Sequence, residues 1–251
     1  MAKISAVIIT LNEEKNLERC LRSLNFVDEI VVVDSHSTDK TEEIARKFTD
    51  KIFEVDWGGF GKTKELARQK ASCSWVLSVD ADEEATPELK EEILQTVQNN
   101  FYSGYFIPRK SNFLGKWINH SGWYPDYVLR LFQKETGKFD DSLVHEQVRV
   151  KGEIGYLKNP LRHYTYPNLE LYIKKLKRYT TLSAQQLYQR KVRTYPWDLI
   201  FRPPATFIKM YLLKLGFLDG WQGLILAGLS GYQVLIKYLK LWKLSFQRKN
   251  V

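Results

Sequence analysis

The apolar positions of this chain follow two rhythms. Short runs rich in β-branched residues occur at residues 5–11 (SAVIITL), 29–34 (EIVVVD), 51–55 and 75–79. They alternate with stretches whose apolar residues return every three or four positions, such as Leu17, Cys20, Leu21 and Leu24. The first rhythm predicts strands and the second helices. Residues 29–34 are almost continuously apolar, as expected of a strand buried on both faces. Residues 37–39 (STD) offer a helix N-cap, with Glu42 three positions after Asp39 as in a capping box. A further helix is expected over about 61–71, and another from 86–88, where Pro87 takes the first helical position. Strands alternating with helices predict an α/β fold, a mostly parallel sheet flanked by helices on both faces. From Leu169 onward the pattern is helical only. Leu169, Tyr172, Ile173, Leu176 and Tyr179 repeat at helical spacing, and 197–215 and 221–244 mix aromatic, aliphatic and basic residues.

Parallel strands share one carboxyl edge, which is where open α/β sheets bind ligands. That edge collects Asn12 and Glu13 after the first strand, Asp34 at the end of the second, and Asp80 and Asp82 after the run 75–79. Acids converging in one cleft repel each other unless a cation or hydrogen-bond donors compensate them. Hard carboxylates at such a rim suit Mg²⁺ or Mn²⁺ shared with a phosphate-bearing substrate. No Gly-x-Gly-x-x-Gly follows the first strand and no Gly-x-x-x-x-Gly-Lys-Ser/Thr occurs, which disfavours dinucleotide oxidoreductases and P-loop enzymes. Gly58-Gly59-Phe60-Gly61-Lys62 precedes the wrong helix for either motif.

Composition adds two constraints. The 251 residues, 44% hydrophobic and 27% charged, can bury a sizeable core. Cys20 and Cys73 form neither a disulfide framework nor a metal cluster, so a reducing compartment is expected, and residues 1–5 lead into the first strand without a signal peptide. The net charge of +9 is uneven, with bases dominating from Lys151 onward. Such a surface attracts nucleic acid, anionic lipid or an anionic substrate. Residues 220–236 are uncharged but include Gln222, Ser230 and Gln233, too polar for a clear transmembrane helix. Basic, amphipathic and bearing Trp and Tyr, the wider stretches 197–215 and 221–244 fit helices lying in a membrane interface, or ones covering the core. No nucleic-acid motif accompanies them.

Four motifs in order, Val7-Ile8-Ile9-Thr10-Leu11-Asn12-Glu13-Glu14, Val31-Val32-Val33-Asp34-Ser35-His36-Ser37-Thr38-Asp39, Ala67-Arg68-Gln69 and Val79-Asp80-Ala81-Asp82, resemble those of family 2 inverting glycosyltransferases with the GT-A fold. Residues 124–132 (YPDYVLRLF), Val144-His145-Glu146 and residues 216–220 (GFLDG) are similar to the branch that adds β-1,4-glucose to the inner-core heptose of bacterial lipopolysaccharide. Gln69 departs from the pattern, where many relatives carry Asn. The resemblance implies a GT-A (Rossmann-like) catalytic domain over residues 1–168, with its nucleotide-sugar half at about 1–100 and its acceptor half at 101–168. A basic, aromatic helical extension would follow over 169–251.

The same resemblance implies roles. Asp82 would bind Mg²⁺ or Mn²⁺, with His163 completing the shell. Asp80 and Ala81 would face the ribose and the metal's waters, Asp34 the uracil or ribose, and residues Thr10, Leu11, Asn12 and Glu13 would frame the base. Arg68 would pair with a carboxylate or the diphosphate. An inverting transfer needs a general base for the attacking hydroxyl. Glu146 is the first choice among Asp126, Asp140, Asp141 and Glu146, with Asp126 second, and Arg130 is placed on the acceptor side. The partners implied are a UDP-sugar donor, UDP-glucose foremost, a lipopolysaccharide-core acceptor and an anionic membrane surface, without nucleic acid. The place implied is cytoplasmic, peripheral on the inner face of the bacterial inner membrane. A transferase acting on a lipid-linked phosphate or polysaccharide, a nucleotidyltransferase, and a non-catalytic membrane- or nucleic-acid-binding module remain as alternatives.

Overall fold

The computed structural model describes residues 2–99, 101–140 and 148–247. In chain order the elements begin with β1 (Ile4–Thr10), α1 (Leu17–Ser23), β2 (Glu29–Asp34), α2 (Thr41–Ala45), β3 (Ile52–Glu54), α3 (Phe60–Lys70), β4 (Trp75–Ser78), β5 (Glu83–Ala85) and α4 (Pro87–Asn99). They continue with β6 (Gly104–Phe113), β7 (Lys116–Trp117), β8 (Asp126–Gln133), β9 (Gly137–Phe139), β10 (Val148–Val150), β11 (Ile154–Tyr156), β12 (Leu161–Tyr166), α5 (Leu169–Gln189), α6 (Pro196–Ile208) and α7 (Gly220–Gln247). The chain divides into two compact units, residues 1–110 with 126–163, and residues 111–125 with 164–251.

The first unit contains the parallel sheet. β1 pairs in parallel with β2 (Ser5↔Glu29 through Thr10↔Asp34) and with β4 (Ile4↔Trp75 through Val7↔Ser78), and β3 extends β2. All seven residues of β1 are buried. Because strand side chains alternate between faces, Ile4, Ala6 and Ile8 pack with Leu17, Leu21, Leu24, Leu89 and Ile93, while Val7 and Ile9 pack with Val33, Ala67 and Phe132. Helices therefore cover both faces, and each fully buried aliphatic contributes about 1.5–3 kcal/mol over exposure.

Beyond β4 the sheet becomes antiparallel. β8 runs against β4 (Trp75↔Gln133), and β6 runs against β8 (Arg109↔Asp126) with an irregularity at Tyr105/Phe106. β12 runs against β5 and sets His163 opposite Glu83. The mostly parallel, helix-flanked sheet expected from the sequence is thus continued by a mixed half. One local expectation fails. α2 starts at Thr41 without a capping box. Asp39 accepts from the amide of Thr41, two residues on, and from that of Glu14, while Glu42 turns outward to Arg46. The turn-forming reach of a short Asp side chain outcompetes the cap.

In the second unit, α5 is capped by Asn168, whose carboxamide oxygen accepts from the Leu171 amide at 2.9 Å. Phe113, Ile118, Tyr172, Leu176 and Leu226 form one core, and Ala184, Tyr238 and Leu241 another. A Cβ on Gly223 would lie 1.9 Å from the Gly216 carbonyl oxygen, so only glycine allows that approach. Asp219, 1% exposed, accepts from the amides of Asn119 and His120 and from the Ser121 hydroxyl. This anchors the turn 216–219 that leads into α7.

Candidate active site

β1 and β2 deliver Thr10 and Asp34 side by side, because their register pairs them. Asp34 is 1% exposed. Its Oδ1 accepts from the Thr10 hydroxyl at 2.6 Å and the Ser37 hydroxyl at 2.6 Å, and its Oδ2 from the Ser37 amide at 2.7 Å. The loops after the two strands are sewn together through side chains. The Asn12 amide donates to Ser37 Oγ at 2.8 Å, Asn12 Oδ1 accepts from the Thr38 amide at 2.8 Å, and the Glu13 amide donates to Thr41 Oγ1 at 2.8 Å. Asn12 has φ 56°, a left-handed conformation that Asn tolerates better than most residues. Leu11 is exposed at the tip and Ala81 is buried. Asp34 thus spends three acceptor sites on its own loops and keeps about one for a ligand.

β4 ends at Ser78, and the turn that follows carries Asp80 and Asp82. Asp80 is held by two cations, Lys64 Nζ on α3, 2.7 Å from its Oδ1, and Arg130 on β8. Burial would raise the Asp80 carboxyl, but the charges of Arg130 and then Lys64 override it and hold the group well below the usual carboxylate range. Arg130 also donates from Nη2 to Glu83 Oε1 at 2.7 Å, and Glu83 Oε2 accepts the Asp80 amide at 3.0 Å. Arg109 lies 3.7 Å from Glu83 Oε1 and donates twice to Asp126 Oδ2, at 3.0 and 2.7 Å. A ladder of alternating charge therefore runs Lys64, Asp80, Arg130, Glu83, Arg109, Asp126. Glu83 is fully buried, and Lys64 and Arg130 are 3% and 4% exposed. Buried charges persist only when compensated in this way. Asp82 stands on the other side of the turn, its Oδ2 3.3 Å from His163 Nε2.

The structure brings Thr10, Asn12 and Asp34 together, Asp80 together with Arg130, and Asp82 together with His163. Arg130, placed on the acceptor side from the sequence, lies against the Asp80 turn. Arg68 faces elsewhere. It donates to Glu65 at 2.9 and 2.6 Å and to the Lys134 carbonyl at 2.9 Å, and Glu65 in turn accepts the Phe139 amide. Its carboxylate partner is thus Glu65, and with it Arg68 fastens α3 to the β9 region. Asp126 is tied to Arg109, and Asp140 lies 4.0 Å from Arg149. Glu146, His145 and Asp141 lie outside the described residues.

Sequence reading missed Lys64, Glu83 and Arg109. Lys64 sits four residues before Arg68 on one helix, so the face was visible even though the choice between the two was not. Glu83 adjoins Asp82 and was legible as a third acid. Arg109 depends on strand pairing across the antiparallel half and left no local mark.

Residues 5–165 match the family model for glycosyl transferase family 2. The chain is 31% identical to the lipopolysaccharide core biosynthesis glycosyltransferase LpsC of Rhizobium meliloti, over 91% of this chain and 85% of that protein. It is 28% identical to an uncharacterized glycosyltransferase of Rickettsia typhi, over 100% of this chain and 90% of that one. Its fold is similar to that of S. aureus TarS, residues 1–349 in complex with UDP-GlcNAc, with a TM-score of 0.50 at 18% identity, over 93% of this chain and 81% of that one. The family match spans every strand that brings an acid to the sheet edge, and the chain belongs to glycosyl transferase family 2.

Proposed function

We propose that the protein transfers a hexose, glucose from UDP-glucose, with inversion to a heptose of the lipopolysaccharide inner core. The observation that carries this reading is the acid-lined turn of Asp80 and Asp82 at the same sheet edge as Asp34, with β1 between them, in a family 2 chain related over most of its length to a lipopolysaccharide core glycosyltransferase. Asp34 and the Thr10–Glu13 turn take the uracil and ribose. Lys64 and Arg130 fix the Asp80 carboxylate in place at the sheet edge. A group held in advance in this way costs no reorganisation when a leaving group grows more anionic in the transition state.

The donor set fits a divalent cation. Asp82 Oδ2 and His163 Nε2 are 3.3 Å apart, close to the ~3 Å that separates adjacent ligands of an octahedral ion bound at about 2.1 Å. Among the described residues no group of three or more His, Cys, Asp or Glu side chains forms a complete cage. Asp82 and His163 would hold Mg²⁺ or Mn²⁺, which when bound neutralises diphosphate charge.

Glu146 is the base we assign to the acceptor hydroxyl. Asp126 is the weaker choice because it is already tied to Arg109. The basic extension keeps the enzyme peripheral on the cytoplasmic face of an anionic membrane, where a lipid-anchored core meets a soluble donor.

The test is a panel of nucleotide sugars with Mg²⁺, Mn²⁺ or EDTA, offered with heptose-terminated core oligosaccharide, and measured by released nucleotide and by the anomeric configuration of the product. UDP release from UDP-glucose dependent on both acceptor and metal supports the reading. Turnover with a GDP-sugar, or on a polyprenyl phosphate in place of the core, overturns the donor or the acceptor.

A further inference from the structure

Residues 190–251 carry eleven Lys and Arg and two acids, Asp198 and Asp219. Both acids are buried, at 8% and 1% exposure, and engaged, Asp198 with Arg202 and the Tyr195 amide, and Asp219 with the 119–121 turn. The surface of this segment is therefore basic and apolar, with no exposed carboxylate among its described residues.

The apolar part is ordered. Trp197, Ile200, Pro204, Ile208 and Leu212 follow at spacings of three and four along α6 and the π-helical turn Lys209–Leu213. Trp197, Ile200, Ile208 and Leu212 are 56%, 64%, 47% and 51% exposed, and Phe201 and Leu213 reach 67% and 74%. Leu215, Phe217, Leu218, Trp221 and Leu224 continue the exposed set through the turn Gly216–Asp219 into α7. Arg193, Arg202, Lys209 and Lys214 are exposed among them. An apolar surface of this extent interleaved with cations signals a partner. Large aromatics with Lys and Arg and no acid are complementary to an anionic bilayer interface.

The alternative, α7 as a spanning helix, conflicts with its packing. Residues 216–246 are long enough to cross a membrane, and their most apolar 18-residue stretch has a mean hydropathy of 1.2. Yet Leu226, Tyr238 and Leu241 are core residues of the second unit. Lys240 Nζ donates to the Lys177 carbonyl at 3.1 Å and to the Thr180 and Thr181 hydroxyls of α5 at 2.8 and 2.7 Å.

We propose that the elbow from Trp197 to Leu224 enters the headgroup region of an anionic bilayer as an in-plane wedge, while α7 beyond it stays packed on α5. This deepens the membrane placement proposed above and rests on it.

The test uses the full chain with an environment-sensitive fluorophore on a single introduced cysteine, since Cys20 and Cys73 are both buried. Phe201→Cys and Leu213→Cys report the wedge, and Gly228→Cys reports α7 at a position where a Cβ meets nothing within 4 Å. Glu43→Cys, on exposed α2, is the reference. Vesicles of phosphatidylglycerol and phosphatidylcholine are brominated either near the headgroup or at the acyl-chain end. Expected is a several-fold emission rise with a blue shift at positions 201 and 213, quenched by shallow bromines and absent at 43. Vesicle binding with unchanged emission at 201 and 213 overturns the wedge and leaves the peripheral placement standing. No binding at low salt overturns both. Quenching at 228 by acyl-end bromines shows α7 crossing and overturns the wedge. A blue-shifted signal at 213 without lipid, together with a dimer on gel filtration, assigns the face to a second copy of the chain and also overturns it.

Discussion

Asp82 and His163, 81 positions apart in sequence, stand 3.3 Å from each other because β12 runs antiparallel to β5 and sets His163 opposite Glu83. Both side chains are largely but not wholly covered, at 22% and 12% exposure, so a ligand can reach them. Asp82→Ala should lower kcat/KM by about 10³-fold or more, at the scale of losing a principal electrostatic group, and abolish the Mn²⁺-dependent thermal shift produced by UDP. Its melting temperature without ligand should stay near wild type. His163→Ala should raise the metal concentration needed for half-maximal activity. Near-normal turnover in both variants removes the metal assignment.

Arg130 is the hinge of the buried charge ladder, shared by Asp80 and Glu83. Arg130→Met leaves both carboxylates short of a partner, and a broken buried pair of this kind costs about 3–5 kcal/mol. For a chain of this size that corresponds to a fall of roughly 6–20 °C in Tm. Calorimetry of Arg130→Met and Lys64→Met should show the larger loss in the first, because Lys64 compensates Asp80 while Arg130 compensates two acids.

Asp34→Ala removes three hydrogen bonds from the loops that would frame the nucleotide. The main kinetic effect expected is a raised donor KM with a smaller change in kcat. Lost stability with KM unchanged would make Asp34 a loop anchor alone.

Glu146→Gln should lower kcat by about 10²–10⁴ if it is the base, with donor affinity nearly unchanged. Asp126→Asn should instead disturb Arg109 and reduce activity less. The opposite ranking moves the base to Asp126.

Glu29 accepts from the Ser72 amide at 2.7 Å and its hydroxyl at 2.8 Å, and also bonds Ser5 and Lys51. Burial opposes the charge, but these donors outweigh it and hold the carboxyl at about 2. The folded value lies below the unfolded one of about 4.3, so this stabilisation is fully present above that pH and is lost as the pH falls toward 2. Glu29→Gln should cost on the order of 1–2 kcal/mol at pH 7, and the gap from wild type should close in urea melts as acid is added.

The alternating strands and helices through residue 99, apart from the short β5, the acids at the strand ends and the basic aromatic character of the extension were determined by the sequence itself. Each rests on local periodicity or on residues adjacent in the chain. β1 and β2 read as buried strands because their apolar runs must be covered, and Asp34, Asp80 and Asp82 fall at the sheet edge whatever the register. Tertiary structure alone decided which charges meet. Lys64 rather than Arg68 reaches Asp80 because one helical turn separates them and Glu65 captures the Arg68 guanidinium. Arg109 meets Asp126 through the antiparallel pairing of β6 with β8, and Arg130 meets Glu83 between strands that are not neighbours in the sheet, over sequence separations that no local pattern encodes. The exposure of Trp197, Phe201 and Leu213 likewise follows from how α6 and α7 pack, since composition is the same whether such residues face a core or a lipid surface.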